Sequence, residues 1–277
     1  VKSLKIKCQC RKPETRMLEE INKKYEIDKK KSWIIGDSTA DIKCGNNFNI
    51  KSILVETGFA GRDKKYICEP DFVFKDLFTA SKFIINEYPR LYDLVSNLNL
   101  DSNNKNIFIS GLSNSGKSTF SSVIKDFVEE NYDITCHIIR LDNYLLEITE
   151  RGDFPNIFSK KITTLIKTRF KKQTIEMKLQ IYDKFHGCIL RSDNMINIDQ
   201  NDWVIFEGLI TFDLTNKYFQ TNQFFIECSE TKIKNRFVAD YKLRGLNKSD
   251  IEDLYLKRSI ERSQIIMQKR NTNIIKL

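Results

Sequence analysis

Gly111-Leu112-Ser113-Asn114-Ser115-Gly116-Lys117-Ser118-Thr119 matches G-x-x-x-x-G-K-[ST], the pattern of a phosphate-binding P-loop. Residues 106–110, with an apolar centre at 107–109, predict a short buried strand before it, and the apolar spacing of 119–130 predicts a helix after it. A helix N-terminus that follows a glycine turn directs several backbone N–H groups at one anion. The whole segment is therefore predicted to bind ATP, with Lys117 at the phosphates and Ser118 on Mg²⁺. A glycine- and serine-rich turn that matches by chance is the alternative, and the strand and helix disfavour it.

The composition of the 277 residues is that of a globular protein, with 40% apolar and 30% charged side chains. No apolar run approaches the ~18 residues of a membrane span, and the first residues are too polar for a signal peptide. The net charge of +9 fits nucleic acid or anionic small-molecule substrates, and the scattered lysines favour the latter. Seven cysteines, an odd and dispersed set, predict free thiols in a reducing compartment, so a cytoplasmic protein is expected. The oligomeric state stays open.

Alternating strand and helix patterns predict two α/β units, each with a doubly wound parallel sheet. The first unit is predicted over residues 1–88 and the second over 106–277. Residues 89–105 are the predicted linker, because Tyr88-Pro89 is expected to interrupt a helix. Three predicted strands are few for such a sheet, so the first unit is expected to be the second half of a longer domain.

Charged side chains of the second unit follow its predicted strands, and ligands bind at that edge of an α/β sheet. Asp142 is placed to accept the proton of a substrate hydroxyl, and Glu207 to hold Mg²⁺ directly or through water. Arg236 and Arg244 lie around a predicted break between helices, where a lid brings arginines onto phosphates. Residues 145–200 are predicted to be helices that cover the substrate. The alternatives are a strand-end cap for each acid and a solvated helix face for the arginines.

These motifs resemble, in order, the uridine kinase / phosphoribulokinase family, and the resemblance covers about residues 105–277. It implies a P-loop NTPase kinase domain that uses ATP and Mg²⁺ to phosphorylate a hydroxyl of a sugar or nucleoside. It also implies that Asp142 is the catalytic base and that Lys117, Arg236 and Arg244 act on the phosphates.

The substrate contacts of that family fall on Tyr144, Tyr182 and His186. Ile181 stands where the family usually has a proline, and His186 lies one position closer to the Tyr-Asp pair than in uridine kinases. These differences concern the nucleoside pocket, and a buried core histidine is the alternative for His186.

The first unit contains a second group of candidate site residues, in the segments Cys8-Gln-Cys10-Arg-Lys12-Pro and Gly-Asp37-Ser-Thr-Ala-Asp41. Two carboxylates four residues apart, on a turn after a buried strand, are able to hold a hard cation. A lysine beside them is able to neutralise a phosphoryl group. A capped turn is the alternative.

This unit resembles the C-terminal half of the haloacid dehalogenase-like (HAD-like, Rossmannoid) phosphatases, most closely the heptose bisphosphate / histidinol phosphate phosphatase group. The resemblance implies Lys12 as the phosphate-stabilising lysine and Asp37 and Asp41 as Mg²⁺ ligands. Cys8 and Cys10 match the second half of that group's zinc loop. The first half of that loop and the nucleophile strand are expected upstream, so the chain is expected to be a fragment of a phosphatase–kinase fusion.

Three functions are compatible with these residues. The first is an ATP-dependent small-molecule kinase, and the second is a sugar-phosphate phosphatase that is active in the longer protein only. The third is a regulatory module that binds a nucleotide without turnover. Asp142 and Glu207 favour the kinase, because a module that only binds needs no acid beside a hydroxyl.

The 277-residue chain is expected to show no phosphatase turnover on sugar phosphates. Lys12, Asp37 and Asp41 stabilise and coordinate but do not attack, and no covalent phosphoryl intermediate forms without a nucleophile. A longer chain with the upstream residues should gain phosphate release and bound zinc. Phosphate release by both chains is the measurement. Turnover by the shorter chain that Asp37→Asn abolishes would contradict this expectation.

Overall fold

The computed structural model describes residues 8–146, 150, 160–171, 173–183, 188–209, 211, 222–267, 269 and 272–277. The chain divides into two compact units, Val1–Asp93 and Leu94–Leu277. Each unit contains a parallel sheet with helices between its strands, so the predicted α/β fold class is confirmed. Among the described helices, none combines the length and the apolar character that crossing a bilayer requires.

The first unit has a three-stranded parallel sheet in the order β1-β2-β3, with strands Trp33–Gly36, Lys51–Val55 and Phe72–Phe74. Its helices cover Arg16–Tyr25, Thr39–Phe48 and Leu77–Lys82, and a further helix covers Tyr88–Ser96. Its core contains Ile42, Ile53 and Phe72, each exposed by 3% or less. Burying side chains of this size contributes about 1.5–3 kcal/mol each.

Pro89 does not interrupt a helix, so that prediction was wrong. A π-helical turn over Phe83–Glu87 precedes the helix Tyr88–Ser96, and the Tyr88 N–H donates to the Phe83 carbonyl. Proline has no N–H to donate, and its ring clashes with the carbonyl four residues earlier in a regular α-helix. The wider π turn removes that conflict, so the chain stays helical past the proline.

The second unit has a five-stranded parallel sheet in the order β10-β9-β4-β8-β5. The strands are β4 Asn106–Gly111, β5 Cys136–Arg140, β8 Trp203–Glu207, β9 Gln223–Glu227 and β10 Asn273–Lys276. The helices are Lys117–Tyr132, Lys160–Phe170, Glu230–Leu243, Lys248–Lys257 and Ser259–Met267. The chain runs from β4 to the edge strand β5, returns to β8 beside β4, and continues at β9 on the other side of β4. This reversal opens a crevice at the carboxyl end of β4.

The prediction of helices over residues 145–200 was wrong in part. Lys160–Phe170 is a helix, but β6 (Ile175–Asp183) and β7 (Cys188–Ile198) pair as an antiparallel hairpin. Apolar and charged residues alternate at the start of β6, where Ile175 is buried and Glu176 is exposed. That period of two is the pattern of a half-buried strand. The alternating segment is short, so the charged residues around it obscured the pattern.

The core of the second unit surrounds β4. Phe108 is fully buried and stacks on Phe206 with ring centroids 5.1 Å apart and on Phe170 at 6.1 Å. Ile107 and Ile109 are equally buried, so both faces of β4 are covered. A strand buried on both faces is apolar along its length, which is why residues 106–110 carried a strong strand signal.

Arg169, at the end of the helix Lys160–Phe170, is a buried cation with 4% exposure. Its Nε donates to Asn106 Oδ1 at 2.8 Å and its Nη1 to the Asp199 carbonyl at 2.8 Å. Its Nη2 donates to the Asp202 carbonyl. Burial lowers the pKa of Arg169. The side chain thus fixes the helix to the start of β4 and to the turn before β8.

Arg169→Met should destabilise the second unit by about 2–4 kcal/mol, because three hydrogen bonds donated by a buried cation are lost. The two tryptophans are Trp33 and Trp203, so urea unfolding followed by fluorescence in a Trp33→Phe background reports on the second unit. Lys167→Met removes the same charge from an exposed position of that helix and should change stability by less than about 0.5 kcal/mol. Equal effects of the two substitutions would contradict the assigned role.

Candidate functional site

The P-loop backbone depends on residues with positive φ. Gly111 has a φ of 148°, and a Cβ at this position would lie 2.6 Å from the Ile226 carbonyl oxygen of β9. Asn114 and Gly116 have φ values of 62° and 105°. Glycine and asparagine adopt this conformation at low cost. The loop therefore turns tightly from β4 into the helix Lys117–Tyr132, whose N-terminal N–H groups are available to an anion.

Lys117 and Ser118 are the first residues of that helix; Lys117 hydrogen-bonds within the P-loop, and Ser118 connects it to the sheet. Lys117 is 7% exposed, and its Nζ donates to the Leu112 carbonyl at 2.8 Å. The Ser118 Oγ donates to Glu207 Oε2 at 3.3 Å. Ser115 Oγ is buried, and no described group hydrogen-bonds to it. An ammonium group, backbone N–H donors and hard oxygen atoms form a set that suits a nucleotide phosphate with Mg²⁺.

Strand register places Glu207 beside the P-loop. Glu207, the last residue of β8, pairs with Ile109 of β4 and with Arg140 of β5. Its side chain is 7% exposed, and Arg140 Nε lies 3.8 Å from Glu207 Oε2. A buried carboxylate is costly unless it is paired, and here a guanidinium and a hydroxyl supply the partners. The sequence analysis gave no role to Arg140, which ends β5 two residues before Asp142.

Asp142 lies in a 3₁₀ turn, Leu141–Tyr144, that directly follows β5. Its side chain is half-buried, and none of the described residues hydrogen-bonds to the carboxylate. A Cβ at Gly208 would lie 2.6 Å from Leu141 Cβ. Glycine after Glu207 therefore lets the Asp142 turn pack closely against the end of β8, and the two acids follow neighbouring strands.

The three residues predicted to contact the substrate differ in their positions. Tyr144 is 4% exposed within the core, and its hydroxyl donates to Met177 Sδ at 3.5 Å. Tyr182 lies near the end of β6, and its backbone N–H donates to Asn143 Oδ1 at 2.9 Å. The hairpin thus packs beside the Asp142 turn. His186 lies outside the described residues. The substrate contacts of all three stay predictions.

The two lid arginines have different partners. Arg236 is exposed, and its Nη1 donates to the Asn114 carbonyl of the P-loop at 2.9 Å. Arg244 instead pairs with Asp240 one turn earlier, and its guanidinium lies 4.5 Å from the Tyr241 ring centroid. The structure therefore brings Arg236 to the P-loop and holds Arg244 on its own helix.

Glu261 is a carboxylate that the sequence analysis missed. It lies on the helix Ser259–Met267, which packs against β4. Burial raises the pKa of Glu261, and the charge of Asp142 raises it further, whereas Arg258 and Arg262 oppose this. Lys117 also lowers this pKa. In the sequence, a glutamate between two arginines resembles a solvated helix face, so no local signal identified it.

In the first unit, Asp41 lies in a capped turn. Ser38 Oγ and N–H donate to Asp41 Oδ2 at 2.6 and 3.1 Å, and Lys12 forms an ion pair with Asp41 Oδ1. Burial would raise the pKa of Asp41, but the hydrogen bonds from Lys12 and Ser38 outweigh it and hold the pKa below its usual value. The capping box that the sequence analysis left as an alternative is therefore present.

Asp37 is held by the loop that follows β2. Its Oδ2 accepts from the Phe59 N–H at 2.8 Å, and its carbonyl accepts from the Gly61 N–H at 2.8 Å. A Cβ at Gly58, where φ is 61°, would lie 2.1 Å from Asp37 Oδ2. In the part of the chain that the structure describes, no three His, Cys, Asp or Glu side chains come together as a metal site. Mg²⁺ binding by Asp37 and Asp41 stays a prediction.

Cys8 and Cys10 form a disulfide, which corrects the prediction of free thiols and differs from the predicted pair of zinc-binding thiolates. Their Cα atoms are 5.4 Å apart, within the range that a disulfide spans. Zinc binds thiolates, so this pair is able to act as a ligand in its reduced form only. The other described cysteines are free: Cys44, Cys68, Cys136, Cys188 and Cys228.

Comparison with known proteins finds relatives of the first unit. Residues 9–80 match the model of the HAD-hydrolase-like family. The D-glycero-alpha-D-manno-heptose-1,7-bisphosphate 7-phosphatase of Photorhabdus laumondii is 39% identical over 85 residues, which are 30% of this chain and 45% of that protein. A D-glycero-D-manno-heptose-1,7-bisphosphate 7-phosphatase of Chlorobaculum tepidum is 36% identical over 80 residues, with 25% and 39% coverage. The chain spans less than half the length of these relatives.

Solved structures resemble the second unit. A structure from Silicibacter sp. TM1040, described as a fructose transport system kinase, covers 68% of this chain and 98% of its own, with a TM-score of 0.53 and 14% identity. At this identity the likeness concerns the fold alone. Residues 9–80 thus resemble HAD-like hydrolases with heptose bisphosphate phosphatases among their relatives, and the second unit shares the fold of the Silicibacter structure.

Proposed function

We propose that the second unit phosphorylates a hydroxyl of a small metabolite with Mg²⁺ and ATP. The observation that carries this proposal is the hydrogen bond from Ser118 to the buried Glu207, at the sheet edge where Asp142 also lies. A phosphate-binding loop, a paired hard-oxygen site and an acid at the hydroxyl position are the parts that phosphoryl transfer requires.

The P-loop would bind the phosphates of ATP. Lys117 donates to the neutral Leu112 carbonyl in this structure, and phosphate oxygens are stronger acceptors because they are charged. Lys117 is therefore expected to exchange its partner when nucleotide binds. Ser118 and Glu207 would hold Mg²⁺, which offsets charge on the phosphate oxygens.

Asp142 would take the proton of the acceptor hydroxyl. The acceptor oxygen forms a bond to the γ-phosphorus, the bond from that phosphorus to the β–γ bridging oxygen breaks, and ADP leaves. The proton moves to the Asp142 carboxylate, which no described residue engages in a hydrogen bond. Arg236, already at the P-loop, would stabilise charge on the transferred group.

Lys117→Ala should weaken ATP binding about 10- to 100-fold and abolish transfer, because a charge-assisted hydrogen bond to phosphate is lost. Nucleotide affinity and ATP consumption with a panel of sugars and nucleosides are the measurements. Lys125→Ala removes a lysine from the same helix and should leave both unchanged. Unaltered affinity and turnover in Lys117→Ala would overturn the ATP site.

Asp142→Asn should lower kcat by about 10²-fold or more and leave ATP affinity nearly intact, because general base catalysis is lost while the P-loop is untouched. Asp133→Asn is the matched control, since Asp133 is exposed and its φ of 51° suits asparagine. If kcat survives in Asp142→Asn, another group takes the proton.

A second function, phosphatase activity in a longer protein, is favoured by the match of residues 9–80 to HAD-like hydrolases. The Lys12–Asp41 ion pair supports it, because a lysine next to a metal carboxylate is able to neutralise a phosphoryl group. The substrate class of the relatives suggests a sugar phosphate, and the zinc ligands would include Cys8 and Cys10 in their reduced form.

A further inference from the structure

Arg140 is a cation at the carboxyl edge of the sheet that the proposed reaction does not yet use. It is the last residue of β5 and pairs in register with Glu207 of β8. Its Nε lies 3.8 Å from Glu207 Oε2, and its side chain is 18% exposed. The Ser118 hydroxyl donates to the same oxygen at 3.3 Å. Arg140 Nε and Ser118 Oγ are therefore at most about 7 Å apart, the sum of these two distances.

The contact between Arg140 and Glu207 is looser than the ion pair of the lid arginine, Arg244. Arg244 donates to Asp240 through Nε at 3.2 Å and through Nη2 as well, and such two-point contacts are the strong ones for a guanidinium. Arg140 Nε instead lies 3.8 Å from a single oxygen, beyond the range of a hydrogen bond. That oxygen also accepts from Ser118. The contact of Arg140 with Glu207 is therefore the easier of the two to exchange.

Glu207 itself would change partner in the proposed reaction. Its carboxylate and the Ser118 hydroxyl would hold Mg²⁺, and a guanidinium that stayed within 4 Å of that carboxylate would be repelled by a divalent cation. Bound nucleotide adds phosphate oxygens at the same place. A planar guanidinium with two parallel N–H donors suits these oxygens better than any other side chain. Asp240 lies on a lid helix away from these oxygen ligands, so Arg244 has no comparable reason to leave it.

We propose that Arg140 binds the γ-phosphate of ATP and stabilises the charge on it during transfer. The γ-phosphate is the relevant group because the proposed base, Asp142, lies two residues further along the chain, where the acceptor hydroxyl would meet the transferred phosphorus. Arg140 then acts from the β5 side, whereas Lys117 and Arg236 act from the P-loop. This inference rests on the proposed kinase function and adds a catalytic residue to it.

The first test compares the binding of ADP and of AMP-PNP, a non-hydrolysable ATP analogue, to the full chain with Mg²⁺ by calorimetry. Arg140→Met should weaken AMP-PNP binding about 10- to 100-fold, because a charge-assisted contact with the γ-phosphate is lost. ADP binding should change less than about threefold. Arg140→Lys keeps a charge beside Glu207 but lacks the planar fork, so its loss should be intermediate. A contact that only supports Glu207 would change both affinities alike.

The second test measures turnover with whichever sugar or nucleoside the wild type phosphorylates. Arg140→Met should lower kcat about 10²-fold or more, because one donor to the developing charge is lost, and KM for the acceptor should change less than about threefold. Arg90→Met is the matched control, since it removes a guanidinium from an exposed ion pair with a glutamate, Glu87. It should alter neither affinity nor turnover.

Equal losses of ADP and AMP-PNP affinity in Arg140→Met would overturn the proposal and leave Arg140 as a partner of Glu207 alone. Unchanged AMP-PNP affinity would overturn it as well. If Arg140→Met does not fold, the same two affinities of Arg140→Lys decide. A wild type that binds AMP-PNP but phosphorylates no acceptor contradicts the kinase function, and the affinity ratio still decides whether Arg140 contacts the γ-phosphate. If the wild type binds neither nucleotide, both proposals fail.

Discussion

The second unit depends on the burial of one carboxylate. Glu207 ends a fully buried strand, and the contacts of Ser118 and Arg140 with its carboxylate offset part of the cost of removing that charge from water. Those two partners fix the P-loop helix and β5 relative to β8. Because Arg140 pairs with Glu207 in the sheet, Asp142, two residues later, lies in the turn that follows the strand next to β8. The contacts of the Glu207 carboxylate with a hydroxyl and a guanidinium thus position the groups that the proposed transfer reaction would use.

The features that the sequence predicted are those encoded in consecutive residues. The strand before the P-loop, its glycines and its helix lie within one short segment, and an apolar strand buried on both faces has a strong signal. The positions of acidic residues that directly follow strands could also be predicted, because parallel strands bring their carboxyl ends to one edge of the sheet. Asp142 and Glu207 were therefore located correctly at the sheet edge, although their roles remain proposals.

Three features were not predicted from the sequence, each for a different reason. The ion pair between Arg244 and Asp240, one helical turn earlier, was overlooked because only the arginines were considered, and the role of Arg244 at the phosphates stays a prediction. Glu261 resembles a surface residue until the helix Ser259–Met267 packs on β4. The hairpin of β6 and β7 has few apolar positions, so its period of two was hidden by charged residues.

The cations of the second unit differ in how readily they would exchange partners. Lys117 and Arg236 donate to backbone carbonyls of the P-loop, which are neutral acceptors, so the transfer of these donors to phosphate oxygens is favourable. Arg244 is held by the Asp240 carboxylate, and its release gives up a charged partner of comparable strength. Nucleotide binding in the proposed reaction should therefore engage Lys117 and Arg236 directly. Arg244 would reach a phosphate only if the end of its helix changed direction at Gly245. Gly245 has a φ of 89° and open surroundings, so the backbone is able to rotate there.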